Sequence, residues 1–168
     1  MKEIFERRSV RKYADRPVTP EEVEKLLRAA MQAPSAGNEQ PWHFIVVRDR
    51  ETLTEISRTQ QYAGMLEHAP MAVVVLGDEE AQRYRPYDYW VQDCSAALQN
   101  LLLEAEHIGL GAVWLGVWPV PERVSNLRRI FGFPETVQPL GIVSLGHPES
   151  HPDPVDRYQP DRIHTEKW

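Results

Sequence analysis

Pro34-Ser35-Ala36-Gly37-Asn38-Glu39-Gln40-Pro41-Trp42 is the stretch on which the fold turns, because the hydrophobic period of the chain changes across it. On its N-terminal side Val23, Leu26, Leu27 and Ala30 recur at helical spacing, a buried face expected to run to about Ala33. Thr19-Pro20-Glu21-Glu22 marks where that helix begins, with an N-cap, a proline at the first helical position and a glutamate placed to close a capping box. On the C-terminal side, within His43 to Arg48, Phe44-Ile45-Val46-Val47 is β-prone and short enough for a buried strand.

The same reading extends outward in both directions. Upstream, the first residues predict a short helix with Ile4 and Phe5 inward, then Arg7-Arg8-Ser9-Val10-Arg11 and a turn at Asp15-Arg16-Pro17. Downstream, a weaker helix near Thr52 to Arg58 precedes a second strand over Met71 to Gly77. Val91, Cys94, Leu98, Leu101, Leu102, Ala105 and Ile108 mark the longest helix, from about Asp88 to Ile108, with Gly109 as its left-handed stop. A third strand is expected over Ala112 to Val117, a helix from Pro121 closed by Gly132, and a fourth strand over about Leu140 to Leu145. Helices interspersed with strands around one sheet predict an α+β sandwich. From His147 to Pro154 the chain is too polar and proline-rich for a core element and is expected to cross a surface. Ile163-His164-Thr165-Glu166-Lys167-Trp168 regains apolar character, which docking onto a partner subunit would explain.

The chain of 168 residues is of single-domain length, and its net charge of −6 argues against general affinity for nucleic acid. No apolar run approaches the roughly 20 residues that cross a bilayer, and Met1 to Glu6 lacks the apolar core of a secretion signal, so a cytoplasmic protein is expected. The single cysteine, Cys94, has no disulfide partner within the chain and falls in an apolar stripe, as a packed thiol would.

The chain has no Gly-x-x-x-x-Gly-Lys loop, no Gly-x-Gly-x-x-Gly after a strand and no Gly-x-Ser-x-Gly elbow. His147 and His151 are four apart, but Pro148 and Pro152 oppose a helical metal-binding pair, and no metal is expected. Asp78-Glu79-Glu80 reads as a solvated turn. Arg7-Arg8-Ser9-Val10-Arg11 can supply charge-assisted hydrogen bonds and a hydroxyl, which suits a phosphate, although such a pentad by itself is more often a solvated face. The Pro34–Trp42 loop is dense in hydrogen-bonding groups and could grip a polar heterocycle, or serve as a connector whose Ser35 and Asn38 satisfy local backbone.

Arg-Arg-Ser-x-Arg near the N-terminus followed by Pro-Ser-x-x-Asn-x-Gln-Pro-Trp after the second helix resembles the nitroreductase family of FMN-dependent enzymes, in order and in spacing. Ala69-Pro70 before a strand, Gly109-Leu110-Gly111-Ala112, Leu115-Gly116, Leu140-Gly141 and the basic tail extend the resemblance over nearly the whole chain. It implies an α+β three-layer sandwich, with a central mixed β-sheet flanked by helices, in an intertwined homodimer. Residues 1–168 would be one FMN-binding domain, 147–168 a tail docking on the partner, and the FMN sites would lie at the subunit interface.

By the same resemblance, Arg7, Arg8 and Ser9 hold the FMN phosphate and ribityl chain, and Arg11 stabilises negative charge on the reduced ring as a catalytic residue. Pro34, Ser35, Ala36, Asn38 and Gln40 reach the flavin bound mainly to the other subunit. Trp114, Leu115 and Gly116 lie beside the isoalloxazine, a backbone N–H near Gly116 being the second catalytic group, directed toward flavin N5. Arg157 completes the phosphate site. A lysine often found two positions before that residue is replaced by Val155, which places more of the phosphate affinity on Arg7.

The implied reaction is ping-pong: NADH or NADPH reduces the flavin through N5 and leaves, and a nitroaromatic, quinone or other electron-poor acceptor takes its place. Two alternatives share the fold, namely a flavoenzyme of different chemistry, such as reductive dehalogenation or flavin fragmentation, and a non-catalytic flavin-binding dimeric module. Longer nitroreductases carry part of the substrate channel in the stretch that here runs from Gly77 to Trp90. Tyr84, Tyr87, Tyr89 and Trp90 cluster there, with packing beside the central helix favoured over an aromatic lid.

Overall fold

The computed structural model describes residues 1–84 and 86–168; Arg85, inside the 78–90 stretch singled out above, lies outside the described residues. Four strands form one sheet in the order β1 (Trp42–Val47), β2 (Met71–Asp78), β4 (Val137–Gly146), β3 (Gly111–Gly116). Among the described residues five α-helices accompany it: α1 (Lys2–Glu6), α2 (Pro20–Ala30), α3 (Arg50–Ser57), α4 (Tyr89–His107) and α5 (Pro121–Phe131).

The α+β expectation holds, and the alternation of side chains along the strands explains the layering. Met71, Val73 and Val75 join Leu26 of α2 and Leu98 and Leu101 of α4 in one apolar cluster. Ala72, Val74 and Leu76 join Leu53 and Ile56 of α3 and Leu127 of α5 in the other. A strand buried on both faces reads as a continuous apolar run, which is what Ala72-Val73-Val74-Val75-Leu76 is. Each fully buried leucine or isoleucine contributes about 1.5–3 kcal/mol relative to exposure.

The sheet corrects one detail. All three strand pairings are antiparallel, where a mixed sheet was expected. Among the described residues the parallel component is confined to the isolated Ser9–Ala112 bridge, where the N-terminal segment runs beside β3 without becoming a strand. Gly111 makes that approach possible, since a Cβ there would sit 2.6 Å from Val10 Cγ1.

Other differences are local. Helix α2 ends at Ala30 and its last expected residues form a turn. Ile4 and Phe5 point outward, 49% and 77% exposed, not inward. Helix α1 buries no residue, and Val10 fills the groove beside β3 in its place. The cap of α2 is as read: Thr19 Oγ1 accepts from the Glu22 N–H at 3.2 Å while Glu22 Oε2 accepts from the Thr19 N–H at 2.7 Å. Gly109 and Gly132 follow α4 and α5 with φ of 78° and 66°, the left-handed conformation that glycine adopts without Cβ strain. Cys94 is buried in the α4 core, its thiol pushed up to about 12 chiefly by that burial, and it is a packing residue.

Candidate active site

A cavity of about 750 Å³ opens between the end of β3 and the segment that follows Val10. Four residues singled out in the sequence meet there: Arg11, Trp114, Leu115 and Gly116. Their meeting has a traceable cause. Tyr13 is buried, its hydroxyl donating to the Val10 carbonyl at 2.9 Å and pairing with Ser144 Oγ of β4 at 2.9 Å. Burial pushes the Tyr13 phenol up to about 12, so it stays protonated as a donor. With the Val10 N–H donating to the Ala112 carbonyl at 3.0 Å, this pins the backbone on both sides of Arg11 to the sheet.

Trp114 is 37% exposed at the cavity wall, and Gly141 on the adjacent strand leaves the room its indole occupies, because a Cβ there would collide with Trp114 Nε1. Gly116 borders open space, with nothing within 4 Å of where its Cβ would stand. The edge of the strand is therefore bare backbone beside an aromatic plane.

Seven further lining residues escaped the sequence reading: Lys12, Gln60, Tyr62, Gly64, Met65, His68 and Arg123. They come from three separated segments and share no spacing that would have flagged them. Arg123 of α5 donates to the Gly116 carbonyl at 2.9 Å. Gln60 Oε1 is buried with no hydrogen-bond partner among the described residues, an acceptor that a ligand N–H or O–H would satisfy.

The remaining expected residues lie apart from this cavity. Arg7, Arg8 and Ser9 occupy the connection between α1 and the Ser9–Ala112 bridge. Arg8 donates to the Asp153 carbonyl at 2.9 Å and so ties that connection to the tail. Arg157 lines a second cavity, with Ile4 and Phe5 of α1 and Tyr158. Pro34, Ser35, Ala36, Asn38 and Gln40 are not among the residues lining the Arg11 cavity of their own chain.

Their loop is nonetheless built with care. Gly37, Asn38 and Gln40 have φ of 57°, 56° and 52°, and left-handed backbone at two non-glycine residues is a strained arrangement that concentrates at ligand-binding loops. Ser35 Oγ accepts from the Gln40 N–H at 3.0 Å. Asp93 of α4, unremarked in the sequence, accepts from the Ala36 N–H at 2.9 Å through Oδ1, while its buried Oδ2 finds no partner among the described residues. Its only sequence signal is an acid inside an apolar helical stripe. Burial raises the Asp93 carboxyl above the usual range, the Ala36 hydrogen bond opposes that, and Glu39 adds to it.

The 78–90 stretch divides. Trp90 is fully buried, edge-on to Trp118 at 5.1 Å between ring centroids, and is packing. Tyr84, Tyr87 and Tyr89 are exposed in edge-to-face contacts, Tyr84 lying against Gly37 of the strained loop. Asp78 caps the short turn that follows β2 by accepting from the Glu80 N–H at 2.8 Å.

The model of the nitroreductase family matches residues 4–147. The chain belongs to the nitroreductase family. It is 53% identical over 171 residues to an Archaeoglobus fulgidus protein provisionally named NADH dehydrogenase/NAD(P)H nitroreductase, covering 100% of this chain and 98% of that one. A Clostridium acetobutylicum structure provisionally named NADH oxidase superposes with a TM-score of 0.94 at 48% identity, over 99% of each chain. A Desulfovibrio desulfuricans protein of nitroreductase type, solved in complex with FMN, superposes with a TM-score of 0.84 at 29% identity, covering 99% of this chain and 96% of that one. Membership places this nitroreductase-family chain among oxidoreductases. None of its described helices is long and apolar enough to cross a membrane.

Proposed function

We propose that this nitroreductase-family protein is an FMN-dependent NAD(P)H oxidoreductase that passes reducing equivalents to an electron-poor acceptor such as a nitroaromatic or a quinone. The observation that carries this reading is the convergence of Arg11, Trp114 and bare strand backbone at Gly116 on one cavity. A planar ring suits the Trp114 wall, a ring N–H suits the orphaned Gln60 Oε1, and a guanidinium suits a ring that gains negative charge. The FMN in the Desulfovibrio desulfuricans relative agrees with that chemistry.

Bound FMN would supply the two-electron chemistry, taking hydride at N5 from NADH or NADPH and delivering it to the acceptor. What the chain contributes is position and electrostatics. Arg11, held by the Tyr13–Ser144 anchor, would offset charge at the reduced ring edge. The Gly116 backbone, steadied by Arg123, would approach the ring without a side chain between. Arg7, Arg8, Ser9 and Arg157 would hold the phosphate, and the tie from Arg8 to the Asp153 carbonyl supports the tail's share in that site.

The reading includes a homodimer, one domain per chain, with Pro34, Ser35, Ala36, Asn38 and Gln40 serving the partner's flavin and the tail 147–168 lying on the partner beyond Asp153, since Glu149, His151 and Asp153 are held by Lys12, Glu106 and Arg8 of their own chain. Two observations support it: the strained loop is not part of its own chain's Arg11 cavity, and Phe5, Tyr158, Ile163 and Trp168 are left exposed. An absorption spectrum of the purified protein, followed by anaerobic addition of each nucleotide, tests the function. A flavin spectrum that bleaches with NADH or NADPH is expected, and a flavin that neither nucleotide reduces would overturn the reading.

A further inference from the structure

The Arg11 cavity is cationic in a protein that is acidic overall. Arg11, Lys12 and Arg123 all line it, and no aspartate or glutamate does among the described residues, although the chain carries a net charge of −6. Such an island of one sign focuses the field and raises the local concentration of the opposite charge.

The proposed flavin accounts for Arg11, uses only the Nη1 tie of Arg123 to the Gly116 carbonyl, and leaves Lys12 without a task. Lys12 is anchored through its backbone and Arg123 through its side chain. The Lys12 carbonyl accepts from the Glu149 N–H at 3.2 Å, which holds its backbone against the first residues of the tail, and Arg123 Nη1 is hydrogen-bonded to the Gly116 carbonyl at 2.9 Å. An Arg123 guanidinium engaged through Nη1 keeps its other N–H groups as donors. His68 and Tyr62 add polar groups on the same cavity wall.

We infer that this part of the cavity is an oxyanion subsite, in which Lys12 and Arg123 receive a carboxylate or phosphate of the molecule that exchanges electrons there. The inference rests on the flavin reading for the word exchange, but the subsite stands on the lining charges alone. The oxyanion belongs either to an acceptor bearing a carboxylate or to the phosphates of a nucleotide reductant. Lys12 and Arg123 are specificity residues in this scheme, and neither contributes a bond-making step.

The test is calorimetric titration of the protein as purified with two matched pairs: 4-nitrobenzoate against 4-nitrobenzyl alcohol, and ADP against adenosine. The charged member of at least one pair is expected to bind about tenfold tighter, the scale of a charge-assisted hydrogen bond, and to lose that advantage as salt is raised. Preference in the first pair assigns the subsite to a carboxylate acceptor, and preference in the second assigns it to a nucleotide. The preference should fall to within about twofold in the Lys12→Ala/Arg123→Ala double variant, survive Arg123→Lys, and be untouched by Lys25→Ala on α2. Equal binding of charged and neutral members, or a preference that the double variant retains, overturns the inference. A yellow, nucleotide-reducible protein with no anion preference would remove the subsite and leave the flavin. A colourless protein with a Lys12- and Arg123-dependent preference would do the reverse.

Discussion

Single residues decide where the two halves of the site point. Tyr13 joins Val10, Ser144 and so the Arg11 segment through one buried hydroxyl. Tyr13→Phe strands both partners, and about 1–3 kcal/mol of stability should be lost in urea denaturation. Asp93 makes a sharper case, because its carboxylate costs stability by charge and contributes it by hydrogen bonding. As an acid with a raised folded pKa, it holds its proton in the fold where the unfolded chain has already released it, so this term weakens the fold as pH rises from 3.8 through that raised value. Asp93→Asn keeps an acceptor for the Ala36 N–H without the charge, and its melting temperature at neutral pH should match or exceed that of the parent. Asp93→Ala leaves that N–H without its partner and should lower the stability by about 1–3 kcal/mol. For the proposed phosphate site, Arg7→Ala or Arg157→Ala should weaken FMN retention, measured by flavin fluorescence on dilution, by about 1.5–3 kcal/mol. Unchanged retention in both would remove these arginines from the site.

At the scale of elements, the end of α4 clips two segments that have little burial of their own. His107 Nδ1 meets Glu3 Oε1 of α1 at 2.9 Å, and the next residue upstream, Glu106, meets His151 Nε2 of the tail at 2.9 Å through Oε2. The Glu3 and Glu106 hydrogen bonds are the chief causes that raise His107 and His151 above 6.5. A raised histidine contributes stability that is complete below 6.5 and is lost as pH rises through the folded value. The Glu3 carboxyl is lowered from 4.5, first by its own backbone hydrogen bond and then by His107, so its contribution is present above 4.5 and fades as pH falls through the lowered value. The Glu3–His107 clip is therefore closed between 4.5 and 6.5, and both clips open toward alkaline pH. Hydrogen exchange of residues 1–11 and 147–157, corrected for its intrinsic pH dependence, should show more opening at about pH 8.5 than at about pH 6. The His107→Ala/His151→Ala variant should lose the difference.

At the scale of the whole molecule, each end of the chain leaves apolar groups exposed: Ile4 and Phe5 in α1, and Val155, Tyr158, Ile163 and Trp168 in the tail. If the proposed dimer covers them, deleting residues 163–168 should shift the monomer–dimer equilibrium toward monomer in sedimentation velocity run over a concentration series. A truncated chain that dimerises as tightly as the parent would remove the tail from that role.

The amino-acid sequence by itself determined the elements, because helices and strands are local and periodic. The run Ala72–Leu76, the α4 stripe from Val91 to Ala105 and the Thr19 capping box each carry their structure within a few neighbouring residues. It also determined the Arg7–Arg11 and Pro34–Trp42 motifs that carry the resemblance to the family whose model matches residues 4–147. Only the tertiary structure decided which of these share a cavity, and that Lys12, Gln60, Tyr62, Met65, His68 and Arg123 stand with Arg11 and Trp114. It likewise decided that Asp93 holds the Ala36 loop and that α1 turns Ile4 and Phe5 outward. The physical reason is that a site is a meeting of chain segments dozens of residues apart. What brings them together is the space left by Gly111 and Gly141 and one buried tyrosine hydroxyl, none of which leaves a period in the sequence.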